Sequence, residues 1–473
     1  MRESGKVPGL PSLTKGERTV RRGKKTFATL ILSLLLILSV SFSPLLRAAE
    51  VSGEAGAEYR ASSGGDGFTS GTFSDQDLRG YGRIVLRNLY GGKVTGYLDL
   101  EYLKDLDGFE VSDPFSDTVD TYSSRDDLRV NEGYLDLVVG EGISVRAGRQ
   151  RALAAEDAFF DGLKVTGGFG KVKGFLFGGL RASHYVEPDR DALFGGKISW
   201  TPLSGITLYL ADTKYVKNSL EVGGNLRLLS LGTVSGSFGV IEEDPRFIRL
   251  TATSREFAGF VLSGDYTRKL GNGADYEDFD FDFTSPDGRS LERLHLGDLK
   301  PYAEYTLSAS RGFEGIGFFR LGVTRHKLVH DEDEDEYNRT FNEFFVDYSG
   351  EDLFGTGISL NLSYRHVEED RVFGDDASFG EFEVALARDL KEVTEGLSAG
   401  VGGYATSYTR LTSIGSFSSP VDETSKNYYA FLDYKRGRVR GTLTVEASQD
   451  DVTERYGAEW TKSVSVEVAY TFD

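Results

Sequence analysis

Cysteine is absent from all 473 residues. That excludes disulfides, thiolate nucleophiles, iron–sulfur clusters and covalently attached haem. After residue 49 there is no further long apolar run, which excludes an inner-membrane helical bundle. Basic residues are outnumbered, 54 Lys and Arg against 74 Asp and Glu, a balance that disfavours nucleic acid as a partner. Proline is scarce at 10, against 58 Gly, 24 Tyr and 32 Phe. Few prolines, many glycines and many aromatics suit numerous strands joined by tight turns and ringed by aromatic girdles.

The one apolar run lies near the start. Arg21, Arg22, Lys24 and Lys25 precede the stretch from Phe27 to Val40, and the small residues Ala48 and Ala49 follow it. This is the order of a secretory signal peptide, with cleavage expected near Ala49. Arg21-Arg22 lacks the flanking residues of a twin-arginine signal, so ordinary Sec export is expected. Setting aside the leader's nine basic and two acidic residues leaves 45 basic against 72 acidic, a net charge of −27. The expected division is a signal peptide at 1–49 and a single domain at 50–473.

Alternation is what the mature region does have. Val464, Val466, Val468, Tyr470 and Phe472 fall on one face of a strand, and Ser463, Ser465, Glu467, Ala469 and Thr471 on the other. Segments of this kind recur to the end of the chain, 22 by count, near the 9–11 residues a tilted strand needs to cross a bilayer or longer. With soft boundaries, the expectation is about 18–22 strands and an even number. The negative mean hydropathy agrees with this, because period-two alternation hides a membrane signal.

The connections test the reading independently. Every second one is short and often Gly-rich, as at Gly91-Gly92, Gly140-Glu141-Gly142 and Lys435 to Arg438. Many of the others are long and acidic, such as Ser62 to Gln76, Asp105 to Ser124, Gly271 to Leu294, His330 to Asn338, Glu368 to Ser378 and Leu411 to Glu423. Short turns on the periplasmic side and long loops outside define a transmembrane antiparallel up-and-down β-barrel in the cell outer membrane. The fold class is all-β.

Charges fall on the polar phase of the alternation, where the strand faces water; at mid-bilayer on the other phase each would cost about 2–4 kcal/mol. The expected pore-lining set is Arg79, Arg83, Arg87, Asp99, Glu101, Glu132, Asp136, Arg146, Lys173, Arg181, Arg365 and Arg440. Arg79, Arg83 and Arg87 share a face at spacings of four. Together these residues suggest a charged aqueous lumen in which a basic wall opposes an acidic one. The acids Asp331, Glu332, Asp333, Glu334, Asp335 and Glu336 mark an extracellular loop. No loop has the spaced carboxylates and central Gly of a calcium loop. His326 and His330, four apart on a strand, are separated by about 13 Å and cannot share a zinc. Without a Ser/His/acid grouping or a phosphate loop, neither enzymatic activity, a metal nor a cofactor is expected.

The run from Leu128 to Leu137, then Ile143 to Gln150, then Asp161-Gly162-Leu163, resembles the early strands of porin-like Gram-negative outer-membrane proteins. These carry an acidic-aromatic strand followed by a strand ending in Gly-Arg-Gln. The resemblance covers about 40 residues and is specific to the superfamily, not to a substrate. It implies a channel fold, Arg146 on the pore wall and Arg149 near the rim. It also implies that Tyr470 and Phe472 form the signal read by the barrel-assembly machinery, with the departure that Asp473, not an aromatic, is last.

Three functions follow as expectations. The first is a porin-like channel for passive passage of small polar or charged solutes, with outer-membrane lipid and lipopolysaccharide as its surroundings. The second is the sheath of a porin–cytochrome conduit, in which a multihaem cytochrome fills the bore. The third is a surface-structural or adhesin barrel. A count of 22 bears on the choice, since barrels of that size are usually plugged and the first strand begins almost at the cleavage site, leaving no room for a plug domain.

Overall fold

The computed structural model describes residues 50–65, 72–106, 126–182, 192–215, 217–228, 231–271, 300–334, 338–370, 378–414, 417–449 and 460–473. The leader, Asp335, Glu336 and most of the long acidic loops lie outside the described residues.

Each alternating segment is a strand. The first group comprises β1 (Glu50–Gly65), β2 (Thr72–Leu89), β3 (Val94–Asp105), β4 (Asp126–Gly140), β5 (Ile143–Leu153) and β6 (Asp157–Phe169). Next come β7 (Val172–Arg181), β8 (Ala192–Leu203), β9 (Ile206–Lys214), β10 (Asn218–Leu228), β11 (Gly232–Ile241) and β12 (Asp244–Ser254). They are followed by β13 (Val261–Lys269), β14 (Tyr302–Phe313), β15 (Gly317–Leu328), β16 (Thr340–Gly350) and β17 (Ile358–Asp370). The last are β18 (Ser378–Asp389), β19 (Leu397–Ile414), β20 (Phe417–Arg436), β21 (Val439–Gln449) and β22 (Thr461–Phe472). Every strand pairs antiparallel with the next, and β22 pairs with β1. The 22-stranded sheet is therefore closed and has no free edge.

The connection parity is as expected. Two-residue turns at 141–142, 170–171, 204–205 and 437–438 close one end of the barrel. Gly142 (φ 72°) and Gly437 (φ 58°) supply the left-handed backbone that such turns need. At the other end, however, some connections are also short, among them 154–156, 215–217 and 242–243.

Two expected loops are partly strand. β1 and β2 extend to Gly65 and from Thr72, and β19 and β20 extend to Ile414 and from Phe417. Antiparallel pairing continues beyond the bilayer, where neither face meets lipid and alternation is no longer demanded.

Because paired residues share a face, one assignment propagates around the ring. The outer face carries exposed Leu135, Leu163, Ile198, Leu321 and Val468, a continuous apolar belt. At the short-turn end it is bordered by exposed Tyr90, Phe169, Trp200, Phe257, Phe319 and Phe354. Towards the other end stand Phe194, Tyr305, Tyr364, Phe382 and Tyr428. An apolar belt between two aromatic girdles is the exterior of a bilayer-spanning barrel. Tyr470 and Phe472 lie on this outer face of β22, at the seam with β1, where Phe472 sits opposite Gly53. Asp473 is held by Arg438 at 3.1 Å.

The belt is not free of charge. Arg149 and Asp161 form a two-pronged ion pair on the outer face, both contacts at 2.8 Å. Arg151 and Asp157 pair beside them at 2.9 Å. All four lie towards the long-loop end of β5 and β6, where a charge on the lipid side costs only about 0–1 kcal/mol. The family resemblance puts Arg149 near the rim of the pore; the β5–β6 register turns it away from the bore.

Candidate functional site

Every residue of the expected pore-lining set faces inward. Arg79, Arg83 and Arg87 lie on one face of β2, directly opposite Glu58, Glu54 and Glu50 of β1. On the other side, Arg83 faces Asp99, which faces Glu132. Asp136 faces Arg146. Lys173 and Arg181 share the inner face of β7 with Phe177, Arg365 faces Glu381, and Arg440 faces Ala469.

The arginine ladder of β2 is nevertheless not a basic wall. Arg79 Nε donates to Glu101 at 2.5 Å, and its Nη1 lies 3.4 Å from Glu58. Arg83 donates to Asp99 at 3.0 Å, and Arg87 to the Ser52 hydroxyl at 3.0 Å. A polar pocket of about 240 Å³ opens here, lined by Glu54, Arg79, Tyr81, Arg83, Asp99, Glu101, Asn131 and Glu467. Four carboxylates against two guanidinium groups leave it acidic. Glu54, Glu58 and Glu467 are absent from the expected set. The alternation of β1 and β22 places them on the inner face, but only the cross-strand register brings them beside the arginines of β2. Beside the pocket, Tyr97 stacks on Tyr134 with ring centroids 5.1 Å apart, and Arg146 lies 3.8 Å over the Tyr134 ring.

The positive sector lies further round. Lys164, Lys173 and Lys197 occupy the inner faces of β6, β7 and β8, and none makes an ion pair among the described residues. Lys164 rests 4.8 Å from the Phe175 ring and Lys197 4.1 Å from Tyr209, which orients the ammonium groups without neutralising them. In a closed ring of 22, the strand facing β7 is β18. There Glu381 and Glu383 point inward, likewise without an ion pair among the described residues.

The inner surface of β5–β9 is also partly dry. Ala152, Ala158, Phe160, Phe177, Leu193 and Ala211 form a buried cluster on it, with Ala154 packed on top. The β5–β6 tip at 154–156 turns inward to cover this cluster. Thr213 accepts the Glu156 amide at 3.2 Å, Ser219 donates to the Glu156 carboxylate at 2.5 Å, and Arg246 pairs with the same carboxylate. Gln150, fully buried below, donates to the Gly162 carbonyl at 3.1 Å. The charged inner face is thus interrupted by a buried apolar patch in this sector. No period-two signal marks a three-residue tip that folds back, so Glu156 and Arg246 were not visible in the sequence. Outside the strands, Glu242 is held below the usual carboxylate range chiefly by the Asn218 backbone amide, with Lys214 adding to the effect.

The acids Asp331 to Glu334 lie in the connection from β15 to β16 at the long-loop end, with a single 3-10 turn at Asp331–Asp333. Among the described residues no group of three His, Asp or Glu side chains could hold a metal ion.

The closed 22-stranded ring, its lipid-type belt and its charged inner face define an outer-membrane-type β-barrel. Solved structures of similar architecture include the P pilus usher PapC translocation pore (8% identity, 89% of this chain and 99% of that chain, TM-score 0.48). Another is the Escherichia coli P pilus tip assembly intermediate PapC-PapD-PapK-PapG (13% identity, 88% of this chain, TM-score 0.48), of which this chain spans 60% of the matched chain. A third is OccK8 (OprE) of Pseudomonas aeruginosa (10% identity, 89% of this chain and 98% of that chain, TM-score 0.41). No family model and no curated protein matches the sequence.

Proposed function

We propose that the protein is an outer-membrane channel through which small polar or charged solutes pass passively. The observation that carries the reading is the opposition of unneutralised charges across the bore. Lys164, Lys173 and Lys197 lie on one side, and Glu381 and Glu383 lie eleven strands away in the ring. Such a pair of walls sets a field across the passage, which aligns a dipolar or zwitterionic solute as it moves. The apolar belt supports placement in the outer membrane, with lipid and lipopolysaccharide around it.

Planar-bilayer recordings with asymmetric salt test this. Large steady steps are expected. Lys164→Gln with Lys197→Gln should move the reversal potential towards cation preference, and Glu381→Gln with Glu383→Gln towards anion preference. If neither pair moves it, the two walls do not act on the permeant.

The strand count favours a second reading, since 22-stranded barrels are commonly plugged. In that reading a multihaem cytochrome occupies the bore. Purified barrel that conducts nothing, yet captures such a cytochrome, would support it over the open channel.

A further inference from the structure

On the outer face of β18–β22 the belt is indented. Two outward rows can be followed across the five strands. The lower joins Leu386, Val401, Ala430, Val445 and Val464; the upper joins Val384, Gly403, Tyr428, Ala447 and Lys462. Gly403, Ala430 and Ala447 are too small to fill the space between Phe382, Leu386, Tyr428 and Val464. The result is a groove of about 1000 Å³.

Its rim at the long-loop end is cationic. Lys462 lines the groove itself, at the second residue of β22. Lys426 stands one outward position above Tyr428, on β20. Neither lysine makes an ion pair among the described residues. Lys462 stands ten residues before Phe472, and 9–11 tilted residues cross the hydrocarbon. Its ammonium therefore lies at the outer interface, where lipid headgroups are. Trp460 and Tyr428, with ring centroids 5.9 Å apart, sit at the same level, as amphipathic rings do at a membrane surface.

We infer that this groove binds a phosphorylated, multiply acylated lipid of the outer leaflet, of the lipid A type. Phosphate meets Lys426 and Lys462, and an acyl chain lies along Ala447, Ala430 and Gly403. An apolar trough alone would suit any lipid, but two lysines at the headgroup level select an anionic one. A second copy of the chain fits poorly, because a two-fold contact on this face would set each lysine pair against its mate. The inference rests on the membrane placement proposed above and is independent of conduction.

The chain has two tryptophans, Trp200 and Trp460, so a Trp200→Phe protein in detergent micelles reports from the rim of the groove. Titration with lipid A is expected to give a saturable change in Trp460 emission, and dephosphorylated lipid A a much weaker one. Lys426→Gln with Lys462→Gln should weaken binding about thirtyfold, two surface-lysine contributions towards anionic lipid. Ala447→Phe, which fills the trough and leaves both lysines, should weaken it as well. Heat-dependent gel mobility verifies that each variant is a folded barrel.

Equal affinity for the lysine variant overturns the proposal. So does an unaffected Ala447→Phe, which would reduce the effect to surface charge, or a stable dimer that lipid A does not disturb. Single-channel conductance should be the same in all variants. Its absence would count against the channel and not against the groove.

Discussion

At the residue scale, the inward contact of most consequence is the Glu156 carboxylate between Ser219 and Arg246. The Glu156 and Arg246 side chains are only 14% and 13% exposed, so removing one leaves the other as a poorly solvated charge. Glu156→Ala should cost about 3 kcal/mol, the low end for breaking a buried pair. Arg246→Ala should cost a similar amount, and the double variant clearly less than the sum of the two. Urea unfolding of barrels reconstituted in vesicles measures all three. Additive losses would show that the two side chains do not form one interaction.

At the element scale, the inner wall is held by a repeated device. An aromatic ring on one strand lies over the glycine opposite it on the next. Tyr81 covers Gly56, Tyr209 covers Gly223, Phe345 covers Gly322 and Tyr429 covers Gly402. The ring shields a backbone that has no side chain of its own. A Cβ added at Gly56 would lie 2.5 Å from the Tyr81 ring. The same tyrosine donates its hydroxyl to Glu467 at 2.5 Å, tying β2 to β22 across β1. Gly56→Ala should therefore cost about 1–3 kcal/mol through overpacking and weaken the seam that closes the ring. Gly82→Ala is the control, because nothing lies within 4 Å of its added Cβ. Equal unfolding midpoints for the two variants would refute the covering-ring account.

At the scale of the whole molecule, the balance of charge matters more than any ladder. The sequence carries a net charge of −20, and two of the three arginines in the β2 row are neutralised, Arg79 by Glu58 and Glu101 and Arg83 by Asp99. In the proposed channel, selectivity would come from fields that cross the bore, and such fields are screened by salt. The screening length falls from about 10 Å at 0.1 M to about 3 Å at 1 M. Ion preference measured by reversal potential should accordingly shrink as bulk salt is raised over that range at a fixed gradient. A preference that does not change with salt would place its origin in close contact sites such as the pocket beside Arg79, not in opposed walls.

An even strand number within 18–22, the inner and outer faces of the strands and the short turns at one end were legible in the sequence, because each is dictated locally. Period-two alternation is set by the solvent on either side of a single strand, and a turn by the few residues that make it. Thus Val464 and Glu467 declare their faces without reference to the rest of the chain. What a given inward charge meets is decided by register, which involves neighbours distant in sequence: Arg79 with Glu58 and Glu101, Tyr81 with Glu467. The dry patch under the 154–156 tip and the groove below Lys462 belong to the same class. Each needs several strands brought side by side, and the physical cause is that a closed ring joins residues through space that no stretch of the chain joins in order.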